Sequence, residues 1–126
     1  MRWRSSSTGE RVRLPTEEEM EVAASYDLAK NQKRLYPWGD QFGSGMGESF
    51  LRLAGLHNQV LEWTSSRWVR YPGYEGSFPR EGKDDFVLRG GYKISPETEL
   101  QTFFRRGDRP LQRGRNYGFR SARSIE

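Results

Sequence analysis

One histidine, His57, and no cysteine stand among the 126 residues, and that scarcity decides much of the possible chemistry. Without thiols there is no disulfide, no thiolate metal site and no cysteine nucleophile. A single imidazole cannot build a multi-histidine metal centre, and a lone histidine in a glycine-flanked loop is most simply a hydrogen-bonding group. The carboxylates are more informative. Glu62 and Trp63 lie in Gln59-Val-Leu-Glu-Trp-Thr-Ser-Ser-Arg-Trp68, where strand alternation sends a carboxylate and an indole to opposite faces. If Glu62 is the buried member it requires an arginine or a bound cation as partner. Asp84 and Asp85 form an acidic pair in a turn-rich stretch and read as solvated. Seven arginines and one acid, Asp108, fall between Arg105 and Arg123. They fit either a polyanion footprint or, in so aromatic a chain, structural arginines stacked on rings and bonded to loop carbonyls. Gly90-Gly91 ends the apolar run Phe86-Val87-Leu88 and marks a position needing positive φ or close backbone approach. The string Arg106-Gly107-Asp108 is too short to carry weight as a recognition motif.

The elements that must position these residues are short. The composition is polar, with 33% hydrophobic and 30% charged residues, yet four Trp, six Tyr and seven Phe supply large buried areas per residue. Fourteen Gly and six Pro favour many turns over a helical bundle. The clearest local signal is Leu14-Pro-Thr-Glu-Glu-Glu-Met20, in which Thr16 and Glu19 form a capping box and three acids suit a helix N-terminus. A helix is expected from about Glu17 to Lys30, with Met20, Ala23, Ala24, Asp27 and Leu28 sharing one face, a narrow apolar stripe. Strands are expected around Gln59–Trp68, at Phe86–Leu88, at Thr102–Arg105 and within Tyr117–Ala122. No apolar run approaches the roughly 20 residues of a membrane span, and no leader-type apolar segment follows Met1, so a soluble chain is expected. The sum is one small, loop-dominated α+β domain.

Five phrases then fall into a known order: Arg13-Leu-Pro-Thr-Glu-Glu-Glu-Met, Tyr36-Pro-Trp-Gly-Asp, Leu61-Glu-Trp-Thr-Ser-Ser, Val87-Leu-Arg-Gly-Gly and Gly118-Phe-Arg-Ser-Ala-Arg. Together they resemble the formylglycine-generating enzyme, or sulfatase-modifying factor, family. The resemblance implies a variant C-type-lectin-like fold, with short antiparallel strands, long loops and one or two helices. It runs from about Trp3 to Arg123. It implies a single but partial domain over 1–126, with 1–13 a loosely ordered lead-in in which Trp3 ends a helix belonging to an earlier portion.

The family's copper chemistry rests on two cysteines after the glycine pair. Here Ser95 and Leu100 stand at those places, and neither can replace a soft thiolate. The family can also hold structural calcium near Glu62. Asn58 would be a second ligand, though Gly55 stands where a side-chain oxygen is usual, and calcium needs about six or more oxygens. The closer-looking branch is the ergothioneine-type sulfoxide synthase. That resemblance implies Tyr71 or Tyr74 as proton donor or orienter and Arg105 and Asp108 as pocket residues, with Arg106 and Gly107 departing from the usual Asn and Trp. The iron of that branch is held by histidines of a separate helical domain, so neither copper nor iron is expected on this chain alone.

Three functions follow as expectations. The first is a catalytically inactive binding or structural subunit of a complex or oligomer, with Trp68, Arg70, Tyr71 and Tyr74 as interface anchors. The second is the substrate-binding half of a sulfoxide synthase completed by another chain. The third is nucleic-acid or polyanion binding by the arginine-rich end.

Overall fold

A computed structural model describes residues 2–4, 11–43, 59–76, 84–92 and 95–124. His57, Gly55 and Asn58 lie outside the described residues. The elements in chain order are β1 (Arg2–Arg4), β2 (Arg11–Arg13), α1 (Glu17–Ser25), β3 (Tyr26–Asp27), β4 (Gln32–Lys33), β5 (Leu61–Arg67), β6 (Phe86–Arg89), a 3-10 turn (Glu97–Leu100), β7 (Arg105–Asp108), β8 (Tyr117–Gly118) and β9 (Ala122–Arg123).

The centre is a four-stranded sheet in the order β7-β6-β5-β8. β5 and β7 both run antiparallel to β6, with Glu62 opposite Arg89 and Phe86 opposite Asp108. β8 lies parallel to β5. A second sheet, β1-β2-β9, joins the two ends of the chain, and β3-β4 is a two-stranded ribbon. Arg2–Arg4, expected as the end of a helix, is thus a strand paired with Arg11–Arg13.

The helix begins as its sequence dictates. The Glu19 amide donates to Thr16 Oγ1 at 3.1 Å and the Thr16 amide donates back to Glu19 Oε1 at 2.9 Å. Its expected end at Lys30 is corrected to Ser25. Asp27 Oδ1 accepts the amides of Ala29 and Lys30, and Asn31 takes φ 51°, so a side-chain-bonded turn reverses the chain before the helix can continue. The β3-β4 pairing that results buries Asp27 and leaves Leu28 exposed instead of on the stripe. Of the expected face, Met20, Ala24 and Asp27 are buried and Ala23 is half-buried.

The loop after β4 folds on itself. Tyr36 and Gly39 exchange backbone hydrogen bonds at 2.8 and 3.1 Å, and the Tyr36 and Trp38 rings stack with centroids 5.5 Å apart. Leu100 closes this cluster. The glycine pair splits its two roles. Gly90 takes φ 83°, whereas a β-carbon on Gly91 would lie 2.8 Å from Leu100 Cδ2 and 2.9 Å from Ser95 Oγ. The side chains at 95 and 100 therefore converge on one point beneath the turn, where an aliphatic group and a hydroxyl, itself bonded to the Tyr92 amide, fill the space. The strand expected at Thr102–Arg105 lies instead at Arg105–Asp108, because a turn follows the 3-10 segment and pairing with β6 begins only at Arg105. Tyr117–Ala122 is likewise two short pairings in different sheets rather than one strand.

Candidate functional site

Phe86 and Arg89, three residues apart on β6, point to opposite faces of the central sheet, and the two faces differ in kind. On the Phe86 side is an open, mainly apolar cavity of about 420 Å³ walled by Trp63, Phe86, Pro110, Phe119 and Leu14. On the Arg89 side, between the sheet and α1, is a buried cluster of charge.

Arg89 is only 1% exposed. Its Nη2 donates to Glu17 Oε1 at 2.8 Å and to the Tyr71 hydroxyl at 3.0 Å. Its Nη1 donates to Glu21 Oε1 and to the carbonyl of Thr102, both at 3.1 Å. Glu17 is shared: Arg105 Nη2 donates to its other oxygen at 2.8 Å, while Arg105 Nη1 reaches the Val69 carbonyl at 2.7 Å. The Arg105 guanidinium also lies 4.3 Å from the Tyr71 ring centroid and 4.8 Å from that of Trp68. Glu17, the first helical residue, is the hinge of the arrangement, and its amide is fixed by donation to Ser66 Oγ on β5 at 2.9 Å. Two guanidiniums sharing one carboxylate, each with further carbonyl or carboxylate acceptors, meet the condition under which buried charge is tolerated.

Tyr71 is the member of the cluster that reaches solvent, at 48% exposure. Its hydroxyl accepts from Arg89 and donates to Glu17 Oε1 at 3.3 Å. Burial of the ring raises its pKa above the ordinary phenol value, and the Arg89 charge opposes that rise. The phenol is therefore protonated throughout the neutral range, and suits donation of a hydrogen bond or proton rather than removal of one.

The residues singled out from sequence separate into three groups. Tyr71 and Arg105 come together, with Trp68 beside them. Tyr74 follows in the same turn, its amide bonded to the Tyr71 carbonyl at 3.1 Å, and is 49% exposed, while Arg70 is exposed next to them. Asp108 does not join this group. It lies at the far end of β7, accepting from the Tyr117 hydroxyl at 2.7 Å and from the Arg109 amide at 2.8 Å. Alternation along β7 gives the reason, since Arg105 and Asp108 face opposite ways. Glu62 finds the arginine option of its two: Arg120 Nε and Nη2 donate to its two oxygens at 2.5 and 3.2 Å. Burial nonetheless raises the Glu62 pKa, with Arg120 opposing. Both oxygens of the calcium candidate are thus already engaged by a cation, and Asn58 lies outside the described residues. Asp84 and Asp85 also part company, Asp84 pairing with Arg67 at the surface while Asp85 is 3% exposed.

Glu17, Glu21 and Arg89 carry the cluster and were not among the sequence candidates. Glu17 read locally only as one of the acids suited to a helix N-terminus. Arg89 had one signal: a charge placed between an apolar strand and a glycine turn, where a side chain can hardly avoid the interior. Of the arginine-rich end, Arg105 and Arg120 are structural, stacked or ion-paired as described. Arg106, Arg109, Arg113 and Arg115 are exposed and form no ion pair with the described residues. Among the described residues no group of three or more His, Cys, Asp or Glu side chains could hold a metal. A histidine-bound iron centre does not fit what this chain offers. No helix among the described residues is long and apolar enough to cross a membrane.

Comparison with known proteins agrees with this architecture. Over 91% of its length the chain is 32% identical to the hercynine oxygenase of Mycolicibacterium thermoresistibile, covering 32% of that protein. Over 90% it is 33% identical to the hercynine oxygenase of Mycobacterium tuberculosis, covering 33% of it. The chain therefore spans about a third of the length of the curated relatives it matches. In fold it is similar to PvdO from Pseudomonas aeruginosa, with a TM-score of 0.65 at 22% identity over 96% of this chain and 56% of that one. It is similar also to Treponema denticola variable protein 1, with a TM-score of 0.63 at 22% identity over 90% and 48% of the respective chains. Residues 45–125 match the sulfatase-modifying factor enzyme 1-like domain. With five signature phrases in order, a matching fold and a match over more than half its length, the chain belongs to the sulfatase-modifying factor family.

Proposed function

We propose that this chain is the substrate-facing portion of a hercynine-oxygenase-like protein, with the metal supplied by residues outside it. Tyr71 is the hydrogen-bond or proton donor of the site and Arg105 its anchored cation. The observation that carries this reading is the Tyr71 phenol: half open to solvent, yet held by Arg89 and Glu17 and backed by the Arg105 guanidinium. A surface tyrosine with no task has little reason to be fixed from below by a buried ion cluster. The hercynine oxygenases at 32% and 33% identity supply the ligand class. Among the described residues no donor set fits a metal.

The test is a titration of the isotope-labelled chain with hercynine, followed by NMR. Saturable shifts of Tyr71 and Arg105 signals are expected. Tyr71→Phe should weaken binding about fivefold, the equivalent of one hydrogen bond of about 1 kcal/mol. No shift at millimolar hercynine, or shifts confined to the opposite face, would overturn the reading.

A second reading, a catalytically inactive binding or structural subunit, is favoured by Val69, Tyr71 and Tyr74, which stand 65%, 48% and 49% exposed along one loop. Such side chains are common interface anchors. An oligomer in light scattering, with the amides of this loop protected from exchange, would decide for it. A monomer that shows the hercynine shifts would decide against it.

A further inference from the structure

Gly107, in the middle of β7, has no room for a side chain. A β-carbon there would lie 2.8 Å from Trp68 Cδ1, 3.1 Å from Trp68 Cγ and 3.3 Å from Asp85 Oδ2. The glycine is not serving backbone freedom, since it is absent from the positive-φ positions of the described chain. It serves space, and the group that uses the space is an indole delivered from the segment after β5. That indole is held at its own backbone, where the Trp68 amide donates to the Asp85 carbonyl at 2.8 Å. Two residues back along β7, on the same face, the Arg105 guanidinium rests 4.8 Å from the indole and 4.3 Å from the Tyr71 ring. Its Nη atoms are fixed by hydrogen bonds to Val69 and Glu17, but its Nε is buried with no hydrogen-bond partner. The inner part of this side chain is thus confined by rings rather than by acceptors.

We infer that Trp68 is a positioning residue that holds Arg105 against Tyr71, and that Gly107 is the vacancy that lets it do so. The inference rests on the reading that Tyr71 and Arg105 face the substrate, and it adds a residue that need not touch the substrate. Two consequences follow. Any side chain at 107 should displace the indole and release Arg105. A smaller side chain at 68 should release Arg105 while making 107 tolerant of substitution.

The Arg105 Nε–H resonance of the full chain reads this directly, because a proton lying near two aromatic rings and lacking an acceptor is ring-current shifted. Trp68→Ala should move the signal towards that of free arginine and speed its exchange with water, whereas Trp68→Phe should keep most of the shift. Gly107→Ala should reproduce the Trp68→Ala spectrum, yet add little when made in the Trp68→Ala background, the non-additivity expected of directly contacting residues. Hercynine binding should fall about fivefold in Trp68→Ala and recover in Trp68→Phe, the scale of one lost cation–π contact. An Arg105 signal that stays in place in Trp68→Ala, with the remaining amide spectrum unchanged, would overturn the inference. If Trp68→Ala fails to fold, the Trp68→Phe and Gly107→Ala spectra still decide it. If the Arg105 signal responds as expected but no variant and no wild-type sample binds hercynine, the positioning role stands and only the substrate reading falls.

Discussion

At the scale of single residues, Glu19 shows how one side chain can serve two structures. It closes the capping box of α1 and also takes a bidentate pair of hydrogen bonds from Arg13 on β2, at 2.7 and 2.8 Å. The Arg13 hydrogen bonds, followed by the Thr16 amide, lower its pKa to about 2 from an ordinary 4.5. The folded-state value lies below the unfolded one. Ionised Glu19 therefore stabilises the fold above about pH 4.5, and that contribution is lost as the pH falls towards about 2. Because the carboxylate is 45% exposed, solvent screening keeps the effect modest. Urea denaturation at a series of acidic pH values should show the decline, and Arg13→Ala should flatten it across this window. An unchanged slope in Arg13→Ala would mean that the capping box alone holds the carboxylate.

At the scale of elements, what was legible in sequence follows the range of the interaction that decides it. The start of α1 was legible because Thr16 and Glu19 are three residues apart. β5 and β6 were legible because apolar, β-branched and aromatic residues mark them. The end of α1 was not, since Asp27 and Asn31 outweigh helix propensity only once β3 and β4 pair. β7 was misplaced for a related reason: the pairing of Phe86 with Asp108 sets its register, and nothing between Thr102 and Asp108 announces it. The bond between Arg89 and Glu17, 72 residues apart, lies wholly beyond local reading, though with the Arg105 and Ser66 bonds to Glu17 it fastens α1 to the central sheet. Removing it should expose the dependence. Arg89→Ala leaves Glu17 and Glu21 without their buried partner and should cost about 4 kcal/mol in urea unfolding. A Glu17→Met, Arg89→Met pair, which removes both charges, should cost less than the two single changes summed. Additive losses would show that the two side chains act independently, and that α1 is held by Met20 and Ala24 instead.

At the scale of the whole molecule, the charge is unevenly neutralised, and this has a measurable consequence. The net charge is +4. The arginines on the α1 side of the central sheet are absorbed by Glu17, Glu21 and the loop carbonyls of Val69 and Thr102. Those of β7 and the loop beyond it, Arg106, Arg109, Arg113 and Arg115, stand exposed with no ion pair among the described residues. The sequence showed seven arginines in a row of nineteen residues without distinguishing the two kinds. The fold distinguishes them, because only those that stack on rings or reach a buried carboxylate are spent internally. Four exposed guanidiniums on one short segment should retain the chain on heparin at low salt and release it steeply as salt rises, through counterion release. Replacing Arg109 and Arg113 with Ala should lower the eluting salt concentration. Replacing Arg105 should act differently, loosening the Tyr71 site with little effect on retention. Retention that is indifferent to salt, or that falls as much for Arg105→Ala as for the exposed pair, would show that the segment is not the basic surface its unpaired charges describe.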